Sequence, residues 1–143
     1  MTEKMAFGSF SEELAFEFAE SGIQDAFLVT GGAIAPFTSA LAEQGRIRMN
    51  YMLTEQSAGI AAEAYGYFDG KPALLIVTSG PGVTNALTPV AAAWTNSAPM
   101  IVISGQARSG DVALAATTKS RQIGNQHLRT DLLVNSIVKK FVE

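Results

Sequence analysis

The sequence predicts an α/β domain: a doubly wound, mainly parallel sheet with helices on both faces. Two observations carry this. Segments 26–30, 73–78 and 99–104 are short and almost wholly apolar, without the alternation of a strand that faces water on one side. Such runs are strands buried on both faces. Glycine-containing turns then lead from strands into segments with apolar residues at helical spacing, the order expected of strand–helix–strand units. With 143 residues the chain fits one domain, 1–143, and has no room for a second.

Taken in order, Ser9 or Ser11 caps a first helix through about Glu20, because Leu14, Ala15, Phe18 and Ala19 recur at helical spacing. Ser21-Gly22 stops it. Strand 26–30 turns at Gly31-Gly32 into a helix over 34–44, with Pro36 in its first turn and Gly45 at its end. Segment 47–53 reads as a strand, and Thr54 sits where a helix N-cap belongs, opening an Ala- and Gly-rich helix over 55–68. Asp69-Gly70 is a turn before strand 73–78. Ser79-Gly80-Pro81-Gly82 leads into a helix over 83–95, followed by strand 99–104. Segment 105–125 holds Gly, Ser and Thr with little periodicity and reads as a long loop; loops of that length are usually functional or ordered by a partner. A short helix over 126–134 and a strand or linker over 137–142 close the chain.

Composition excludes several classes of function. Hydrophobic residues make up 48% of the chain and charged residues 16%, so the chain buries a core and is not disordered. There is no Cys and a single His, His127, which rules out disulfides, thiolate metal sites and a His-rich metal site. A net charge of −3 argues against nucleic acid as a partner. No apolar run approaches the roughly 20 residues of a membrane span, and Met1-Thr2-Glu3-Lys4 opens an amphipathic segment, not a signal peptide. A cytoplasmic chain is expected. Its low charge and its 22 Ala and 13 Gly residues point to helix surfaces covered by another chain, hence to a homo- or hetero-oligomer.

The glycine turns are the first candidates for binding. Gly80-Pro81-Gly82-Val83-Thr84-Asn85 follows a strand and opens a helix, where a dinucleotide fingerprint would sit. Asn85 replaces its third glycine, however, and the next acidic residue is Asp111, so the fingerprint is broken. The glycines alone also fit close strand–helix packing in any doubly wound domain. Pro81 fixes the loop, and Asn85 presents an amide at the carboxyl edge of the sheet, where ligands of open α/β sheets bind. Glu55 begins a helix and heads a surface of Ala58, Gly59, Ala62 and Gly66 that offers its carboxylate no positive partner. It reads either as a first-turn acid favoured by the helix dipole or as a catalytic carboxylate.

Six motifs in register decide between these. Glu55-Gln56-Ser57-Ala58-Gly59-Ile60-Ala61-Ala62-Glu63-Ala64-Tyr65-Gly66-Tyr67, Thr78-Ser79-Gly80-Pro81-Gly82-Val83-Thr84-Asn85, Ser97-Ala98-Pro99 and Ser104-Gly105-Gln106 follow one another, with Gly31-Gly32-Ala33-Ile34 upstream and Arg121-Gln122-Ile123-Gly124-Asn125-Gln126 downstream. Together they resemble the pyrimidine-binding (Pyr) domain of thiamine-diphosphate enzymes, in the acetolactate-synthase-like branch, from about Phe10 to the end.

The resemblance implies that Glu55 hydrogen-bonds N1′ of the cofactor's aminopyrimidine and so promotes loss of the thiazolium C2 proton. A buried carboxyl that shares a proton near neutral pH suits that role; the helix N-terminus favours the charged form, and burial is expected to outweigh it. It also places Gly32, Pro81 and Asn85 around the pyrimidine ring and Gln126 at the substrate end, although Gln126 reads equally as a plain helix-starting residue. Three positions depart from the pattern: Thr54 where His is common before the glutamate, Thr30 where Pro precedes the paired glycines, and Asn96 where Asp is common. His127 is expected on the surface of the last helix. The Gly-Asp-Gly motif by which the diphosphate-binding (PP) domain of this family holds diphosphate and magnesium has no counterpart, since Gly110-Asp111 is followed by Val112.

The resemblance therefore implies a Pyr subunit without middle and PP domains. It binds thiamine diphosphate together with Mg2+ only when a PP-domain partner completes the site, and it acts on a small 2-oxo acid such as pyruvate. A non-catalytic Pyr-like assembly or regulatory module is the alternative, and a fragment of a longer enzyme is a third reading. Lys119 and Arg121 in the long loop are candidates to meet the substrate carboxylate or an acidic patch of the partner.

Overall fold

The computed structural model describes residues 7–118 and 120–143. The N-terminal tetrapeptide and Lys119, on which two of the sequence expectations fall, lie outside the described residues. Ser9 caps helix α1 (Phe10–Glu20), its hydroxyl accepting from the Glu12 amide at 3.3 Å. Strand β1 (Asp25–Leu28) leads through a single tight helical turn, Gly32–Ile34, into α2 (Ala35–Gln44), with Pro36 in its first turn. Then follow β2 (Arg48–Tyr51), α3 (Glu55–Asp69), β3 (Ala73–Val77), α4 (Pro81–Asn96) and β4 (Met100–Ser104).

The four strands form one wholly parallel sheet in the order β2-β1-β3-β4. The alternation of a strand sorts its side chains between two cores. Leu74 and Ile76 of β3, with Ala26 and Leu28 of β1, face Ala15 of α1 and Phe37, Ala40 and Leu41 of α2. Ala73, Leu75 and Val77 face Ala58 and Ala62 of α3 and Val83, Ala86 and Val90 of α4. Every residue of β3 is buried, which is why its sequence shows no alternation. The chain steps from β1 outward to β2, then returns past β1 to β3 and on to β4. Right-handed crossovers in opposite directions put α2 and α3 on opposite faces. The reversal lies between β1 and β3, and that is where an open sheet of this kind presents a ligand crevice at its carboxyl edge.

Helices α3 and α4 lie side by side in close contact. A Cβ on Gly59 would overlap the Pro89 ring, and one on Gly66 would overlap the backbone of Pro99. Here the sequence expectation is corrected. The small-residue surface of α3 is used up inside the chain, because α4 needs that depth to seat Pro89. The apolar residues left exposed on these helices are instead Ile60, Tyr67, Phe68 and Trp94.

Segment 105–125 also differs from the expected long loop, since it contains α5 (Ser109–Thr117). None of its residues is buried, so it has no apolar stripe for periodicity to reveal. The last helix, α6, is Thr130–Val134. It starts later than expected because Gly124 and Gln126 both take positive φ, at 81° and 57°. Residues 137–142 carry no strand. Among the described residues no helix is long and apolar enough to cross a membrane.

Candidate functional site at the carboxyl edge of the sheet

Glu55 is the first residue of α3, and its backbone is held by a capping box. The Thr54 hydroxyl accepts from the Ser57 amide at 3.1 Å, and the Ser57 hydroxyl accepts from the Thr54 amide at 3.3 Å. Two of the unpaired amides of a helix start are thereby satisfied. Thr54 thus has a defined task as the helix N-cap. The reciprocal partner Ser57 was legible in the Thr-x-x-Ser spacing but is not the Glu or Gln usual there.

The Glu55 side chain reaches toward α4. Asn85 Nδ2 donates to its Oε2 at 3.1 Å, which brings two of the sequence candidates into contact across 30 residues. Its Oε1 has no hydrogen-bond partner among the described residues. A Cβ on Gly82 would stand 3.6 Å from this oxygen and 2.9 Å from Thr78 Cγ2, so glycine keeps the floor beneath it open. The described ion pairs are Arg46–Glu20, Arg48–Asp25 and Arg129–Asp131; none includes Glu55. The carboxyl is half-buried, short of the burial expected, because it stands on an open edge with protein on one side only.

Pro81 opens α4 directly after Gly80, whose φ of 60° and ψ of −113° suit only glycine. A Cβ on Gly80 would approach the carbonyl oxygen of Gln126 to 2.6 Å. The Ser79 hydroxyl, itself buried, donates to Gln126 Oε1 at 3.4 Å. Gln126 therefore packs against the turn that launches α4, and it is not the start of a helix. Ser79 was quoted within its motif but given no task of its own.

Gly32 begins the tight turn after β1 and is exposed, with open space where its Cβ would be. Its neighbour Gly31 is the constrained one, since a Cβ there would overlap the Thr78 side chain. The loops after β1 and β3 thus touch at the point where the winding reverses. Gly105 closes the floor, its Cβ position lying 2.5 Å from Ala33 Cβ and 3.1 Å from the Ser79 amide nitrogen.

Not every candidate falls on this edge. His127 precedes α6 and is half-buried, so it is not a surface residue of the last helix, and its carbonyl accepts from Gln122 Nε2 at 3.2 Å. Arg121 lines a groove against α5, with Gln122, Ile123, His127 and Leu128 among its neighbours. No group of three or more His, Asp or Glu side chains among the described residues is arranged to hold a metal ion.

The arrangement is a half-buried carboxyl with one oxygen held and one free, on a glycine-lined edge at a winding reversal, where a ligand group could hydrogen-bond to it. Comparison with known proteins identifies the family. Residues 9–129 match the family model described as the thiamine pyrophosphate enzyme N-terminal TPP-binding domain. The chain belongs to this family. The acetolactate synthase large subunit of Buchnera aphidicola is 38% identical over 114 residues, covering 80% of this chain and 20% of that protein. The mitochondrial acetolactate synthase catalytic subunit of Saccharomyces cerevisiae is 34% identical over 106 residues, covering 74% and 15%. The 2-hydroxyacyl-CoA lyase of Arabidopsis thaliana is 39% identical over 99 residues, covering 69% and 17%. The chain thus spans about a fifth of these relatives or less, and the wholly parallel sheet with helices on both faces agrees with the Pyr fold.

Proposed function

We propose that this chain is the Pyr part of a thiamine-diphosphate enzyme that decarboxylates a small 2-oxo acid such as pyruvate. The resulting acyl carbanion is joined to a second carbonyl compound. A PP domain on a separate polypeptide supplies the anchors for diphosphate and Mg2+ and covers the open edge, and the assembly works in the cytoplasm. When bound, the cofactor supplies a nucleophilic carbon and an electron sink for decarboxylation.

The chain's own residues do the rest. Glu55 gives and takes a proton at N1′ of the aminopyrimidine through its free Oε1. Asn85 and Pro81, on the first turns of α4, and Gly32, after β1, bound the space for the ring. The amide of Gln126 faces the substrate end, beyond Ser79 and Gly80. The observation that carries this reading is the Glu55–Asn85 pair at the carboxyl edge. A non-catalytic assembly module would not require a carboxyl there with an oxygen left free.

The test mixes the chain with a PP-domain partner, thiamine diphosphate, Mg2+ and pyruvate and follows carbon dioxide release. The expected result is turnover that falls at least about 100-fold in Glu55→Gln. The chain alone is expected to bind the cofactor weakly. Equal turnover by the wild-type chain and Glu55→Gln would support the assembly-module reading instead.

A further inference from the structure

We infer that Asn85 is a positioning residue for Glu55: its amide selects which carboxyl oxygen is left to handle the proton. The inference rests on the reading of Glu55 given above. The capping box fixes the backbone at Glu55, but a glutamate side chain still has three rotatable bonds beyond it, and ordering them carries an entropic cost. The one hydrogen bond to the tip of this side chain among the described residues is that from Asn85 Nδ2 to Oε2, at 3.1 Å.

That contact makes the two oxygens chemically different. An N–H donor stabilises negative charge on the oxygen it touches, so a proton held by the carboxyl resides on Oε1, the oxygen on the Gly82 side. The geometry that allows this is rigid. Helices α3 and α4 are locked by the fit of Pro89 over Gly59, where a Cβ would overlap the ring, so the bases of the two side chains cannot drift apart. Chemistry at position 85 then matters more than size. Aspartate there has the same shape but replaces the donor by a second carboxylate facing Glu55. Because Asn85 is exposed and Glu55 half-buried, water competes for the bond in the free chain; covering the edge lowers the local dielectric and strengthens it.

The test has two arms. In the free chain, carbon and nitrogen NMR reads the Glu55 carboxyl and the Asn85 side-chain amide. Glu55→Gln is expected to shift the Asn85 amide resonances, and Asn85→Ala to shift the Glu55 carboxyl carbon, with the backbone spectrum otherwise retained. Asn85→Asp serves as the isosteric variant should Asn85→Ala fail to fold. In the complete enzyme, either variant is expected to lower kcat about tenfold or more, a loss larger than any accompanying rise in the cofactor KM. Added to Glu55→Gln, it is expected to cause no further loss. Unmoved resonances would overturn the inference. So would losses that multiply with those of Glu55→Gln, or a raised cofactor KM at constant kcat, the signature of a residue that only grips the cofactor. Failure of the Glu55 reading looks different: Glu55→Gln would keep full turnover while the NMR arm still reported the pair.

Discussion

Two carboxylates stand at opposite ends of the same parallel sheet, and the protein treats them in opposite ways. Asp25 opens β1 at the amino edge and is 2% exposed. Arg48, its register partner on β2, grips it with two bonds of 2.7 and 2.8 Å, and Asn50 adds a third of 2.9 Å. Burial pushes its pKa up, but the bonds from Arg48 and Asn50 and the Arg48 charge outweigh that, and the carboxyl is held below its ordinary value. Glu55, beyond the carboxyl end of β2, has one amide donor and a free oxygen. A carboxylate with its acceptor sites filled is a fastener, since any change of its charge costs stability. One that keeps an open oxygen on a solvent-facing edge can exchange a proton without disturbing the sheet.

Breaking the fastener should show most in stability. Asp25→Ala is expected to cost about 2–3 kcal/mol, a fall in melting midpoint of roughly 5–10 °C, with turnover in the complete enzyme nearly unchanged. The loss has a defined pH dependence. The pKa of Asp25 is below its ordinary 3.8 in the folded chain, so its contribution is complete above about pH 4 and disappears as pH falls through the lowered native value. Melting curves of the wild-type chain and Asp25→Ala should therefore converge in acid; a constant gap down to pH 2 would break the comparison.

A smaller effect is expected on the open side. Gly80→Ala forces a side chain into a glycine-only conformation and against the Gln126 carbonyl, for about 1–2 kcal/mol. If Gln126 faces the substrate as proposed, Gly80→Ala, unlike Asp25→Ala, should also raise the KM for the 2-oxo acid, because Gln126 is displaced. The smallest effect is expected at Asn96, whose Nδ2 donates to Glu63 Oε1 at 2.8 Å. Asn96→Asp replaces this donor by a like charge and should cost about 0.5 kcal/mol, less at high salt, in denaturant titrations.

The amino and carboxyl edges also differ in how far the sequence discloses them. Buried strands and glycine turns announced the parallel sheet, and the registers of Glu55, Pro81 and Asn85 placed three candidates on one edge. Motif order indicated Gln126, but its contact with Gly80 depends on two positive-φ residues after α5, which periodicity does not register. Helix α5 escaped notice because it buries nothing. The Asp25–Arg48 fastener went unread for another reason. Its partners are 23 residues apart and meet only through strand register, and no local pattern marks such a pair. The surface of Ala58, Gly59, Ala62 and Gly66 was visible in the sequence, yet its occupant was not, since small residues show that something approaches closely without saying whether it is α4 or another chain.

The central claim is that Glu55 handles the proton that activates the cofactor, and hydrogen–deuterium exchange at thiazolium C2 tests it without requiring any choice of substrate. The measurement uses the chain assembled with a PP-domain partner, Mg2+ and thiamine diphosphate, quenched in acid after millisecond mixing with deuterium oxide and read by proton NMR. Exchange in the wild-type assembly is expected to exceed that of free cofactor by orders of magnitude, and Glu55→Gln to bring it down at least about 100-fold with assembly and cofactor occupancy retained. Equal exchange rates in the wild-type and Glu55→Gln assemblies would contradict the account.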